Sequence, residues 1–104
     1  MIIAIPTNDK KTISEHFGRS EYFLIYNTET KEKKYINNPH VLEENDTIGH
    51  AKLLKALKTE NSEKIICYNV GMRMGQDLKK IGAEIEFTKE LEIEKHLKTT
   101  KQTK

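Results

Sequence analysis

The sequence predicts an α/β fold, a five-stranded mixed sheet in the spatial order 3-2-1-4-5 with three helices shared between its two faces. Three observations predict it. Ile2-Ile3-Ala4-Ile5 is a short, unbroken apolar run, the mark of a strand covered on both faces. The next two strand-like runs, at 22–26 and 33–36, are separated only by the polar turn 27–31, so they form a hairpin. The second half of the chain alternates strand and helix patterns, which requires right-handed crossovers and parallel pairing. Putting the most apolar strands at the centre then gives the order.

Each element has its own signal. Pro6 is expected to stop strand one, and a loop follows from Thr7 to Ser20. Tyr22-Phe23-Leu24-Ile25-Tyr26 is aromatic and β-branched, while Lys33-Lys34-Tyr35-Ile36 carries the lysines that suit an edge. Residues 37–47 are irregular and acidic, with Pro39 and His40. A helix is expected from near Ile48 to about Glu60, capped by Asp46 or Thr47, with Ala51, Leu54 and Leu57 facing inward. Lys64-Ile65-Ile66-Cys67-Tyr68 reads as a buried strand, and Asn69-Val70-Gly71 turns it into a helix with Met74, Leu78 and Ile81 inward and Gly82 at its end. Ala83-Glu84-Ile85-Glu86-Phe87 alternates as a strand, and a last helix is expected over 91–97, with Thr88 as its cap.

At 104 residues the chain suits one domain, expected over 1–98, with a flexible basic tail at 99–104. A hydrophobic share of 36% against 33% charged residues implies a small core under a heavily solvated surface. The formal charge of +2 comes from lysines interleaved with glutamates rather than from a basic stripe with stacking aromatics, so no nucleic-acid partner is expected. No apolar run approaches the ~20 residues that span a bilayer, the opening run is too short for a signal-peptide core, and a cytoplasmic location is expected without membrane contact. The lone Cys67 fits a reducing compartment and excludes both an internal disulfide and a four-cysteine iron-sulfur site.

Ligands of open α/β sheets lie beyond the carboxyl ends of the parallel strands where the winding reverses, here between strands one and four. Tracing strand directions brings His16, His40, His50 and Cys67 to that end, and carries His96 to the other. His16, Phe17, Gly18 and Arg19 form the densest chemistry in the chain. Their ordinary reading is a hydrogen-bonded loop histidine, a core plug, a glycine with positive φ and a surface charge. His50 shares a helix face with Leu54 and Leu57 and should look towards the sheet. His40 has no positional argument in its favour. Imidazole and thiolate suit iron, copper, zinc and molybdenum-containing centres. There is no Cys-x-x-Cys, no His-Glu-x-x-His and no Gly-rich phosphate loop. The topology suits a ribonuclease H-like fold, but nucleases of that fold need carboxylates on the central strands, and strand one has none.

Ile3-Ala4-Ile5-Pro6-Thr7, then Ser14-Glu15-His16-Phe17-Gly18-Arg19 with Tyr22-Phe23 following, then Gly49-His50 opening a helix, are recognisable together. Over about residues 1–98 the chain resembles the dinitrogenase iron-molybdenum cofactor biosynthesis family, the nitrogenase accessory factor-like carriers and their small stand-alone relatives. The resemblance implies a ribonuclease H-like fold and a non-catalytic protein that binds or carries an iron-sulfur or molybdenum-containing cluster, or its precursor, during metallocofactor assembly. It implies His16, Phe17, Gly18, Arg19, Gly49 and His50 as binding residues, with His16 and His50 the leading metal donors. Cys67 is a candidate thiolate, and Arg19 offsets the charge of an anion. Many relatives have a glycine-rich run before the helix, whereas this chain has Val41-Leu42-Glu43-Glu44-Asn45-Asp46-Thr47, an acidic lip that repels an anionic cluster. The expected partner is a cluster donor or acceptor protein, with the chain a monomer or weak homodimer. A second reading is a metal-free interaction domain docking a partner such as an assembly ATPase. A weaker third reading is a Cys67-dependent redox or transfer enzyme, which requires a thiol of lowered pKa.

Overall fold

The computed structural model describes residues 1–102. Strand β1 (Ile2–Thr7) leads through a long loop and one 3-10 turn (Phe17–Arg19) into β2 (Tyr22–Asn27) and β3 (Lys33–Asn37). Then come α1 (Asp46–Thr59), β4 (Lys64–Cys67), α2 (Met72–Lys80), β5 (Glu84–Phe87) and α3 (Ile93–Gln102). The sheet order is β3-β2-β1-β4-β5, antiparallel across the first three strands and parallel from β1 through β4 to β5, as the hydrophobic patterns predict. The fold is ribonuclease H-like. No helix among the described residues is long and apolar enough to cross a membrane.

Alternation along β1 sends Ala4 to one face and Ile3 and Ile5 to the other. Ala4, Phe23, Ile25, Ile65 and Cys67 pack beneath α1 and α2 through Leu53, Leu57, Met74 and Leu78. Ile3, Ile5, Leu24, Tyr26 and Ile66 pack beneath α3 through Ile93 and Leu97. Each face is thus covered by a helix layer, which is why the central strands read as continuous apolar runs.

Several boundaries differ from expectation. Pro6 does not end β1: it still stands opposite Phe23, while the ladder to β4 involves only Ile3 and Ala4, so the amide that proline lacks is not missed. Helix α1 is capped by Asn45, whose side chain accepts from the Ile48 amide at 3.0 Å, leaving Asp46 in the first turn, where its charge suits the helix dipole. Its buried stripe is Gly49, Leu53 and Leu57; Ala51 is exposed and Leu54 only half-buried. Helix α3 begins two residues later than expected because Leu91 and Glu92 pair with the first loop: the Ile13 amide donates to Leu91 O at 2.8 Å and the Ile93 amide to Lys11 O at 3.0 Å. The helix continues to Gln102, through much of the segment expected as a tail, and 103–104 lie outside the described residues. Gly82 takes φ +93° after α2, the left-handed position expected there.

The first loop is well organised. The Asp9 carboxylate accepts from the Thr12 and Lys11 amides, which lower its pKa to about 2. Ile13 is then buried on the α3 face and Phe17 on the α1–α2 face, so the loop straddles the end of the sheet.

Candidate functional site

The site is built where β1 and β4 end, the place the winding reverses. Ser14 anchors the loop by donating its amide to Pro6 O at 2.8 Å, and its hydroxyl accepts from the His16 amide at 3.2 Å. Phe17 is 2% exposed and meets Phe23 edge-on, with ring centroids 5.0 Å apart. That contact pins the 3-10 turn onto the core and leaves Gly18 and Arg19 at the surface. Buried Asn38 joins this turn to the next loop: its amide donates to Gly18 O at 3.2 Å and Ser20 O at 2.8 Å, and its oxygen accepts from the His40 amide at 2.9 Å.

Two adjoining cavities result. One of about 320 Å³ is walled by Phe17, Gly18, His40, His50, Val70 and Arg73, among others, between the starts of α1 and α2. The other, of about 250 Å³, is walled by His16, Arg19 and Asn69 and shares Phe17, Gly18, His40 and Asp46 with the first. A larger cleft of about 470 Å³ lies at the opposite end, beside Ile2, Lys34 and Glu60, and carries none of the predicted residues.

Most of the residues singled out in the sequence therefore meet, but not all. His16 and His50 belong to neighbouring cavities with His40 between them, so the histidine that had no positional argument occupies the shared wall. His50 is half-buried and paired with Asp77 of α2 at 2.8 Å, and His40 with Asp46 at 3.1 Å. Gly18 does not have the positive φ of its ordinary reading; a Cβ added there meets nothing within 4 Å. Gly18→Ala is accordingly expected to leave the melting temperature nearly unchanged while narrowing both cavities, which a thermal scan beside a ligand titration checks. Gly49 packs against His40: a Cβ there would lie 3.2 Å from the His40 ring, tighter than ordinary packing. Its hydrogen is what lets the His40 loop lie on α1.

Cys67 does not join the site. It is fully buried beneath α1 and α2, and burial pushes its thiol up to about 11, which removes support for a thiolate ligand or a reactive nucleophile. Iodoacetamide at pH 8 is expected to label the native protein far more slowly than the urea-unfolded chain. Equal rates would mean that the thiol is accessible. His96 stays out of the site too, though not by being carried to the far end: its Nε2 lies 2.7 Å from Glu90 O in the loop after β5, on the α3 side.

The acidic lip is milder than its composition. Glu43 is held by Lys52 at 2.8 Å, a bond that also lowers its pKa, and Asp46 is engaged by His40. Arg19 and Arg73 stand exposed on the walls. Among the described residues no three of His, Cys, Asp and Glu are grouped so as to hold a metal ion. One or two imidazoles suit a centre that brings most of its own ligands.

Asn38, Arg73 and Asp77 were not singled out in the sequence, whereas His40 was traced to this end of the sheet but not favoured. Of those three, only Asp77 left a trace, since it follows Met74 by one helical turn and so borders the buried stripe of α2.

An open α/β sheet with two cavities beyond the carboxyl ends of its parallel strands defines a small α/β domain of ribonuclease H-like fold. The pattern of the dinitrogenase iron-molybdenum cofactor family matches residues 1–103, and the chain belongs to that family. Among solved structures it is similar to the apo form of the orange protein from Desulfovibrio gigas, at 17% identity and a TM-score of 0.81 over 93% of this chain and 83% of that one. A candidate NifB protein from Thermotoga shares 23% identity, with a TM-score of 0.75 over 98% and 88%. A candidate dinitrogenase from Methanocaldococcus jannaschii shares 27%, with a TM-score of 0.72 over 93% and 84%. No curated protein is similar to the chain in sequence.

Proposed function

We propose that the protein is a carrier without catalytic turnover, which holds an iron-sulfur or molybdenum-containing cluster, or its precursor, for delivery to a partner in metallocofactor assembly. The observation that carries this reading is the shared wall of the two cavities, where the Phe17-Gly18 turn meets the loop and helix bearing His40 and His50, in a chain of this family. His50 and His16 are the donors in this account, and Arg19 with Arg73 offsets the charge of the cargo. Few protein donors suit cargo that must leave again. Cys67 has no part in it.

The test is anaerobic reconstitution with iron, sulfide and molybdate, reading bound metal and visible absorption. Stoichiometric colour in the wild type, lost in His16→Ala and His50→Ala at unchanged circular dichroism, is expected. A colourless, metal-free wild type that also refuses a preformed cluster would sink the reading. A metal-free docking domain then becomes the better account, favoured by Leu42 at 78% and Met72 at 81% exposure, on the loop and helix that flank the mouth.

A further inference from the structure

The pair formed by His50 and Asp77 has a consequence for which atom of His50 meets the cargo. A carboxylate accepts hydrogen bonds and does not donate them, so at 2.8 Å the proton between the two lies on His50 Nε2. A neutral imidazole carries one N–H, and its other nitrogen is then a bare lone pair. The other oxygen of the carboxylate, Oδ1, lies 4.0 Å from the exposed Lys80 Nζ one turn further along α2. Both partners are mostly covered, at 18% and 28% exposure, and they come from different helices, so the ring direction is set by packing of α1 on α2 rather than by a mobile surface contact. The pair formed by His40 and Asp46 uses the same ring nitrogen, but Asp46 is 92% exposed and holds its partner less firmly.

We infer that Asp77 is the positioning residue of the site: it fixes neutral His50 as the Nε2–H tautomer and turns the ring so that Nδ1 is the atom offered to the cargo. This deepens the carrier reading and rests on it. Carboxylates behind metal-binding histidines act in this way generally, orienting the ring and raising its basicity, and losing one lowers metal affinity about 10–100-fold. As a mere clasp between helices, a partly exposed ion pair contributes little to stability. The two roles therefore separate experimentally.

The experiment has two arms. Imidazole nitrogen NMR of the metal-free protein reads the His50 tautomer in wild type, Asp77→Asn and Asp77→Ala. A preformed iron-sulfur cluster, offered anaerobically, then reads affinity in the same proteins and in His50→Gln. Recorded at a pH high enough for the ring to be neutral, wild type is expected to show protonated Nε2 and bare Nδ1. Asp77→Asn should keep that tautomer, because its amide oxygen still accepts, whereas Asp77→Ala should average the two and bind cluster about 10–100-fold more weakly. His50→Gln places an amide N–H where Nε2 was, so it should keep the link to Asp77 and the melting temperature yet lose the cluster. Protonated Nδ1 in the wild type, or an unchanged tautomer and affinity in Asp77→Ala, overturns the inference; so does a His50→Gln protein that binds like the wild type. If the wild type takes no cluster but its tautomer is lost in Asp77→Ala, the carrier reading fails and the positioning role stands.

Discussion

Phe17→Ala is expected to cost about 3–5 kcal/mol, the usual range for emptying a buried phenylalanine site. The ring is fully buried against Phe23 and is the one large apolar side chain of its turn. Without it the 3-10 turn has no grip on the core, so the walls supplied by Gly18 and Arg19 should loosen together with the stability loss. Urea unfolding followed by circular dichroism reads the first effect, and amide exchange at 16–20 the second. Phe17→Leu, which keeps most of the volume, should recover the larger part. A loss below about 1 kcal/mol for the alanine variant would show that the turn is held by hydrogen bonds alone.

The second large effect is expected at Asn38, which serves both site loops at once. Alanine there leaves Gly18 O, Ser20 O and the His40 amide without their partner, and a buried polar group left unpaired costs about 1–3 kcal/mol. Asn38→Asp should be no better at neutral pH: its oxygens still accept from His40, but they face two carbonyl oxygens to which asparagine donates. Thermal melts of the two variants decide this. An aspartate variant as stable as the wild type would mean that the contacts to Gly18 and Ser20 are unimportant.

The strand order was legible because it follows from the unbroken apolar runs of the central strands, the short hairpin turn and the handedness of crossovers, all of which are local or universal. The phase of α1 was not, because its buried stripe starts at Gly49, and a glycine carries no weight in a count of apolar positions. Its cap was placed one or two residues late, at Asp46 or Thr47, because both side chains can cap as well as Asn45 can, and only the reach from Asn45 to the Ile48 amide separates them. The signature turn and the Gly49-His50 pair were visible as motifs, but the packing of His40 on Gly49 shows only once the His40 loop and α1 are in place. Asp77 lies 27 residues from His50, and no spacing rule links a residue of α1 to one of α2. The acidic lip misled in a different way: composition counts charges, and the structure pairs Glu43 with Lys52 and Asp46 with His40. Cys67 was legible as part of a buried strand, and full burial makes it a small hydrophobe of the core.

The most direct measurement is a map of backbone amide NMR shifts while a preformed iron-sulfur or molybdenum-containing cluster is titrated anaerobically into the metal-free protein. The carrier reading predicts saturable changes confined to 15–19, 40, 46–50 and 69–74, the segments that wall the two cavities. Changes centred instead on the cleft by Ile2, Lys34 and Glu60 at the other end of the sheet, or no change at all, would contradict it.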